Sequence, residues 1–216
     1  MILLDKVSKA YPVPDRGMRW VLRDTTCVIR PGDRLGILGR NGSGKSTLVR
    51  LLGGVEYPTR GRILRRMSIS WPLAHGIGVH PALTGADNAR FIARIYGYPL
   101  AEVVRAVDDF AELGQYMDMP ISTYSAGMMS RLLLGLSLAL DFDCYLIDEA
   151  TSVGDQRFID RTEHVLRTKL ENRALVLVSH HSLHIRTFCR TAAILHDGSL
   201  TFFEDLDEAI ATYEAL

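Results

Sequence analysis

Hydrophobic and polar positions change their period along the chain, and each change marks a different kind of element. Residues 2–7 and 20–30 alternate or cluster β-formers on either side of Pro12 to Gly17. Alternation puts every second side chain on one face, so these segments read as strands of an antiparallel sheet joined through that loop. Pro31-Gly32-Asp33 is a turn. The apolar run Leu35 to Leu38 behind it is short enough for a buried strand. A helix is expected from Lys45 to about Leu52, stopped by Gly53-Gly54, and residues 62–70 read as another short strand pair.

The period then becomes helical. Thr84 caps a helix reaching about Tyr96, with Asp87 at its third position. Leu100, Val103, Val104, Val107, Phe110 and Leu113 fall on one helical face, and Gly114 ends it. A third helix runs from Ser125 to near Leu140, so residues 84–140 form a helical insertion. Alternation of strand and helix resumes afterwards. Cys144 to Asp148 and Ala174 to Ser179 are buried strands, with a helix from Gln156 to Leu170 between them. Ala192 to His196 pairs with Leu200 to Phe203 through Asp197-Gly198, and a last helix covers roughly Asp205 to Tyr213. The sum is a parallel α/β core with an antiparallel β edge and inserted helices.

With 47% hydrophobic residues among 216, the chain can bury a sizeable core. Lysine plus arginine and aspartate plus glutamate both number 25, so there is no basic excess to support a general nucleic-acid surface. The cluster Arg60, Arg62, Arg65 and Arg66 reads as a solvated strand face, the alternative being a polyanion site. Cys27, Cys144 and Cys189 are odd in number and show no CxxC spacing, which points to reduced thiols in a cytosolic protein. The longest apolar run, Leu132 to Leu140, falls well short of the roughly 20 residues a spanning helix needs. The N-terminus is charged too early for a signal peptide, so work at a membrane would require docking on a partner.

The chemistry concentrates at Gly39-Arg40-Asn41-Gly42-Ser43-Gly44-Lys45-Ser46, a complete GxxxxGK[ST] phosphate loop between a strand and a helix. Its glycines let successive N–H groups turn inward towards phosphate oxygens, and the helix that follows adds its positive end. Lys45 supplies a point charge for β and γ phosphates, and the Ser46 hydroxyl can ligate Mg²⁺. About 100 residues downstream, Cys144-Tyr145-Leu146-Ile147 ends in Asp148-Glu149. A strand that delivers its C-terminal end to the phosphate loop would place Asp148 beside Mg²⁺ and Glu149 near an attacking water as general base; a strand meeting a turn gives the same pattern, and the phosphate loop upstream favours the site.

Between these motifs lies Tyr124-Ser125-Ala126-Gly127-Met128, which resembles the Leu-Ser-Gly-Gly-Gln signature peptide of ABC-type ATPases. Ser125 and Gly127 match; Ala126 and Met128 depart. Ser152-Val153-Gly154-Asp155 resembles the turn that crosses the dimer interface in that family, and Val178-Ser179-His180 resembles its switch-histidine strand, with His181 the competitor. Tyr11 lies where the family places an aromatic that stacks on adenine; simple packing is its other reading. The resemblance implies an α/β P-loop NTPase (RecA-like) fold in one ABC ATPase domain over 1–216. Its nucleotide-binding core is 1–83 and 141–216 with an antiparallel β subdomain, and its helical signature subdomain is 84–140. It also implies ATP and Mg²⁺ as ligands, with Gly39 through Thr47 on the nucleotide, Ser46 and Asp148 on the metal, and Lys45, Glu149 and His180 in catalysis. Ser125, Ala126, Gly127 and Asp155 would face the site of a second copy. The family's usual glutamine ahead of the helical subdomain is missing, since Gln115 and Gln156 lie elsewhere; His75 or His80 substitutes, or water does.

The departures, together with Ser70-Trp71-Pro72-Leu73 and Leu83-Thr84-Gly85-Ala86-Asp87-Asn88, are similar to the ATPases of bacterial capsular polysaccharide exporters. That similarity implies a homodimer on the cytoplasmic face of the inner membrane. Its partners would be two copies of an integral membrane subunit, with periplasmic and outer-membrane export proteins beyond. O-antigen or teichoic-acid exporter ATPases are the nearest rival. Many of those carry a longer tail, and only about 35 residues follow His180 here. A soluble ABC protein would need a long coiled-coil insertion or two cassettes, and neither is present in the sequence.

Overall fold

The computed structural model describes every residue except Arg16, 73–77, 149–154 and 180–181. The chain divides into two compact units. The first comprises Met1–Pro72, Phe142–Glu149 and Leu170–Leu216. It holds two sheets. In the antiparallel sheet, β1 (Ile2–Val13) lies between β2 (Gly17–Ile29) and β4 (Arg60–Arg65). In the five-stranded sheet the order is β5 (Cys144–Asp148), β6 (Ala174–Val178), β3 (Arg34–Leu38), β7 (Thr191–His196) and β8 (Ser199–Phe203). All neighbours are parallel except β7 and β8, which pair antiparallel through Asp197-Gly198.

Central position explains why β3 reads as continuous apolar sequence: Leu35, Ile37 and Leu38 are buried with strands on both sides. Ile2, Leu4 and Val7 of β1 share one core with Leu48, Val49, Leu51 and Leu52 of α1 (Lys45–Leu52) and with Leu146, Val176 and Val178 of the parallel strands. The phosphate loop is therefore clamped at both ends, by a central strand and by a helix that buries six of its eight residues.

Several expectations need correction. The polar loop expected over Pro12 to Gly17 is shorter, because β1 extends to Val13 and β2 begins at Gly17. Register shifts between Leu4 and Ala10 break the alternation there and disguise the strand's length. Residues 62–70 form no strand pair. Only β4 is a strand, paired to β1, and Ile69 makes a single bridge to Cys144. The arginine cluster is an exposed strand face, as expected: Arg60, Arg62, Arg65 and Arg66 are all exposed, on or just after β4, and three of them make separate contacts. Arg62 pairs with Asp5, Arg60 lies over the Trp20 ring, and Arg65 hydrogen-bonds the Leu51 and Leu52 carbonyls at the end of α1. An unexpected helix, α6 (Ser182–Phe188), packs on β3, where a Cβ at Gly36 would meet Ile185 at 2.8 Å. A last helix, α7, covers Leu206–Glu214.

The second unit comprises Leu73–Asp141 and Ala150–Lys169. Its helices are α2 (Gly85–Tyr96), α3 (Leu100–Ala111), α4 (Ala126–Ala139) and α5 (Gln156–Lys169). Helix α5 thus clusters with the insertion, where the sequence reading set it in the core. Thr84 caps α2 as expected, its hydroxyl accepting the Asp87 N–H at 3.0 Å. Helix α3 does not reach Gly114. It stops at Ala111 because Glu112 turns left-handed (φ 52°), with its carboxylate gathered by Arg131, Arg157 and Arg161. Helices α3 and α4 approach closely at Gly135, and Phe110 meets Phe158 edge to face. No helix among the described residues is long and apolar enough to cross a membrane.

Candidate nucleotide site

The first unit carries the phosphate loop on the tip of β3. Gly42 (φ 79°) and Gly44 (φ 109°) both adopt left-handed backbone angles that other residues take only at a cost in strain, and this curls residues 39–44 into a cradle. The Ser43 N–H donates to the Arg40 carbonyl at 3.1 Å and tightens the curl. Gly44 is also the N-cap of α1, whose first turn contains no acidic residue, so the helix's positive end stays uncancelled. Lys45 is only 7% exposed, and its ammonium donates to the carbonyls of Gly39 (2.7 Å) and Arg40 (3.2 Å). A cation is thus already held over the loop, positioned for anionic oxygens. The Ser43 hydroxyl oxygen is buried with no hydrogen-bond partner, an orphaned polar atom within an anion cradle.

Beside the loop lies an open cavity of about 540 Å³, within the range of small-molecule sites. Tyr11, Gly42, Lys45, Ser46, Thr47 and Asp148 all line it, with Val13 and Val21 adding apolar wall. Asp148 arrives there as the last residue of β5, in register with Val178 of β6. The Ser46 hydroxyl and the Asp148 carboxylate, both lining this cavity, are hard-oxygen donors of the type Mg²⁺ accepts when phosphates and water supply its other ligands. Among the described residues no cluster of three or more acidic, histidine or cysteine side chains could hold a metal alone. The donor set therefore fits a cation that enters with a nucleotide.

Tyr11 is anchored as well as present. Its hydroxyl donates to Glu56 Oε2 at 2.6 Å and sits 3.3 Å from Thr47 Oγ1, while the Lys9 ammonium lies 5.0 Å from its ring centroid. Two residues at the site carried no sequence signal. Arg19, an arginine on β2, donates to the Gly42 carbonyl at 3.0 Å and props the loop from outside. Glu56 lies 45 residues from the tyrosine it binds, and no local pattern links the two.

In the second unit, Ser125 is the N-cap of α4, its hydroxyl accepting the Met128 N–H at 3.3 Å. Ala126 is exposed, and a Cβ at Gly127 would meet nothing within 4 Å, so no side chain crowds the first turn of α4 there. Tyr124, where the family signature has leucine, donates to the Tyr116 carbonyl at 2.6 Å and tethers the peptide. Asp155 caps α5 through the Phe158 N–H (2.9 Å) and pairs with Arg131 (3.1 Å). His80 is held in a local turn. Its N–H bonds the buried Asn88 (2.7 Å), and its Nδ1 accepts the Ala82 N–H (3.3 Å). Glu149, His180, His181, His75 and Ser152-Val153-Gly154 lie outside the described residues.

Comparison with known proteins places this geometry in context. The chain is 48% identical over 216 residues, covering all of both chains, to the capsule polysaccharide export ATP-binding protein CtrD of Neisseria meningitidis serogroup B. It is 45% identical to the ATP-binding protein BexA of Haemophilus influenzae, over 99% of this chain and 98% of that one. Among solved structures, a dimeric ATP-binding cassette in a post-hydrolysis state with ADP and Pi superposes with a TM-score of 0.79 at 21% identity. The match covers 93% of this chain and 96% of that chain, and it shows a shared fold. The ABC transporter family model matches residues 22–152, which run from β2 through the phosphate loop and signature helix past Asp148. On these grounds the chain belongs to the ABC transporter family.

Proposed function

We propose that this protein is the ATP-hydrolysing subunit of an exporter that moves capsular polysaccharide across the bacterial inner membrane. The observation that carries the reading is the convergence of Tyr11, Lys45, Ser46, Thr47 and Asp148 on one cavity at the phosphate loop. The cargo is inferred from the capsule polysaccharide export ATP-binding protein CtrD, with which the chain aligns end to end at 48% identity.

In this reading the Tyr11 ring stacks on adenine, and the amides of residues 39–47 hold the phosphates. Lys45 exchanges its two carbonyl partners for phosphate oxygens, a trade between similar contacts that leaves little to reorganise. Ser46 and Asp148 would hold Mg²⁺, which when bound offsets phosphate charge. Glu149 takes the proton of the attacking water, and His180 holds that water in line. Ser125, Ala126 and Gly127 of a second copy close over the phosphates, using the exposed N-terminus of α4, and Asp155 lies at the same interface. All 216 residues act as one ATPase domain with core and helical parts. Closure on ATP and reopening after hydrolysis would drive two copies of a membrane subunit, with the ATPase docked on the cytoplasmic face. Periplasmic and outer-membrane proteins would carry the polymer onward.

The test is made in the bacterium that carries this chain, with a Lys45→Ala allele replacing the wild type. The expected result is loss of surface capsule, with polymer retained inside the cell. Normal surface capsule with a stably expressed variant overturns the proposal.

A further inference from the structure

The Tyr11–Glu56 contact belongs to a closed ring of side chains in the first unit. The Tyr11 hydroxyl donates to Glu56 Oε2 (2.6 Å), and Glu56 Oε1 accepts from Arg50 Nε (2.6 Å). Arg50 donates through its other arm to Thr47 Oγ1 (3.2 Å), and Thr47 Oγ1 lies 3.3 Å from the Tyr11 hydroxyl. Lys9 adds a second cation to Glu56 at 3.2 Å. The backbone holds the glutamate too, since the N–H groups of Val55 and Glu56 both donate to the Arg50 carbonyl at the end of α1. Thr47 is the residue after Ser46, on the helix that grips phosphate. Glu56 is not among the residues lining the cavity; it reaches the cavity only through its partners.

A tyrosine on a strand can turn about two side-chain torsions, and an unanchored ring must be ordered each time a base stacks on it. A short hydrogen bond to a held acceptor oxygen removes that freedom, most firmly when the acceptor is an ionised carboxylate. Partial burial pushes the Glu56 carboxyl up, but hydrogen bonds from Tyr11, Arg50 and Lys9 outweigh it and hold the group down at about 2. The acceptor is therefore charged at any physiological pH.

We propose that Glu56 is a positioning residue: it fixes the Tyr11 ring in the orientation that receives adenine and, through Arg50 and Thr47, ties that ring to the phosphate-gripping helix. The inference rests on the nucleotide reading of the cavity and adds to it the device that joins base recognition to phosphate recognition.

The experiment is a double-mutant cycle on the full chain with Tyr11→Phe, Glu56→Ala and both together. Titration calorimetry gives Kd for ADP, which has a base, and for inorganic tripolyphosphate, which has none. Each single variant should raise the Kd for ADP about threefold to tenfold, the cost of ordering one freed side chain on binding. Tripolyphosphate binding should stay within about twofold, and the double variant should be no worse than either single one. Glu56→Gln keeps an acceptor oxygen for the phenol and should recover most of the ADP affinity. That variant and Tyr11→Phe also carry the test if Glu56→Ala does not fold. Equal weakening of both ligands, or additive effects in the double variant, overturns the proposal by making Glu56 a general structural support. ADP binding unchanged in all variants overturns it while leaving the nucleotide reading intact. A wild-type chain that binds neither ligand overturns both.

Discussion

Gly44→Ala tests the phosphate cradle at its most constrained point. Gly44 sits at φ 109°, ψ 9°, joining the loop to α1, and a Cβ built there lies 3.0 Å from the Val21 carbonyl oxygen and 3.2 Å from the Val21 Cβ. Both neighbours belong to β2 and cannot swing aside. Holding a non-glycine residue at such an angle costs about 1–3 kcal/mol. In a chain of this size each kcal/mol moves Tm by roughly 2–4 °C. Two responses are open to the variant. It can keep the cradle and lose about 2–12 °C in Tm, or relax the loop and turn its amides away from the phosphates. The second response should weaken ATP binding on the order of ten- to a hundredfold, the equivalent of about 1.4–2.8 kcal/mol of lost anion contacts. Thermal denaturation and titration calorimetry on the same preparation separate the two. A variant with Tm within about 1 °C of wild type and ATP affinity within about twofold would refute the reasoning, because a strain of the expected size would then appear in neither measurement.

Ser125→Arg places a large cation at the exposed N-cap of α4. It should leave ATP capture by an isolated subunit intact while reducing steady-state hydrolysis to background, and normal turnover would mean that the α4 terminus of a second copy is not used. Glu56 should also give the fold an acid-side pH dependence. Its carboxyl is lowered from 4.5 to about 2 in the folded chain, so its contribution is full above the unfolded value and is lost as pH falls through that window. Wild-type stability should therefore drop below about pH 4.5, by on the order of 1–2 kcal/mol more than that of Glu56→Gln after solvent screening. Parallel curves of Tm against pH for the two proteins would contradict that sign.

The parts of the site that were legible in the sequence are those built by short segments. The phosphate loop needs only a strand end, glycines at fixed steps and a helix start, all within residues 35–52. Asp148 ends a buried apolar strand, a weak pattern by itself, and is read as a site residue because that strand end follows the phosphate loop by about 100 residues. Thr84 and Ser125 announced their helices because a helix cap is a local pattern. What stayed hidden depends on distant partners. Helix α6 has seven residues and weak periodicity; it is fixed by Ile185 and Phe188 packing inward and by the bare backbone of Gly36 opposite. The early stop of α3 needs three arginines from α4 and α5 to hold Glu112. The register shifts of β1 exist only relative to β2 and β4. Arg65 reads as one of a charged run, yet it satisfies carbonyls at the end of α1 more than ten residues away.

The central claim is that the cradle around Lys45 is where ATP is held and split. Phosphate release from MgATP, measured for the purified chain with its membrane subunit in lipid, tests this most directly when wild type and Lys45→Ala are compared. The account predicts steady turnover by wild type and a fall on the order of a thousandfold in the variant, since it assigns Lys45 to the phosphates where charge develops. Equal rates from the two proteins would contradict it.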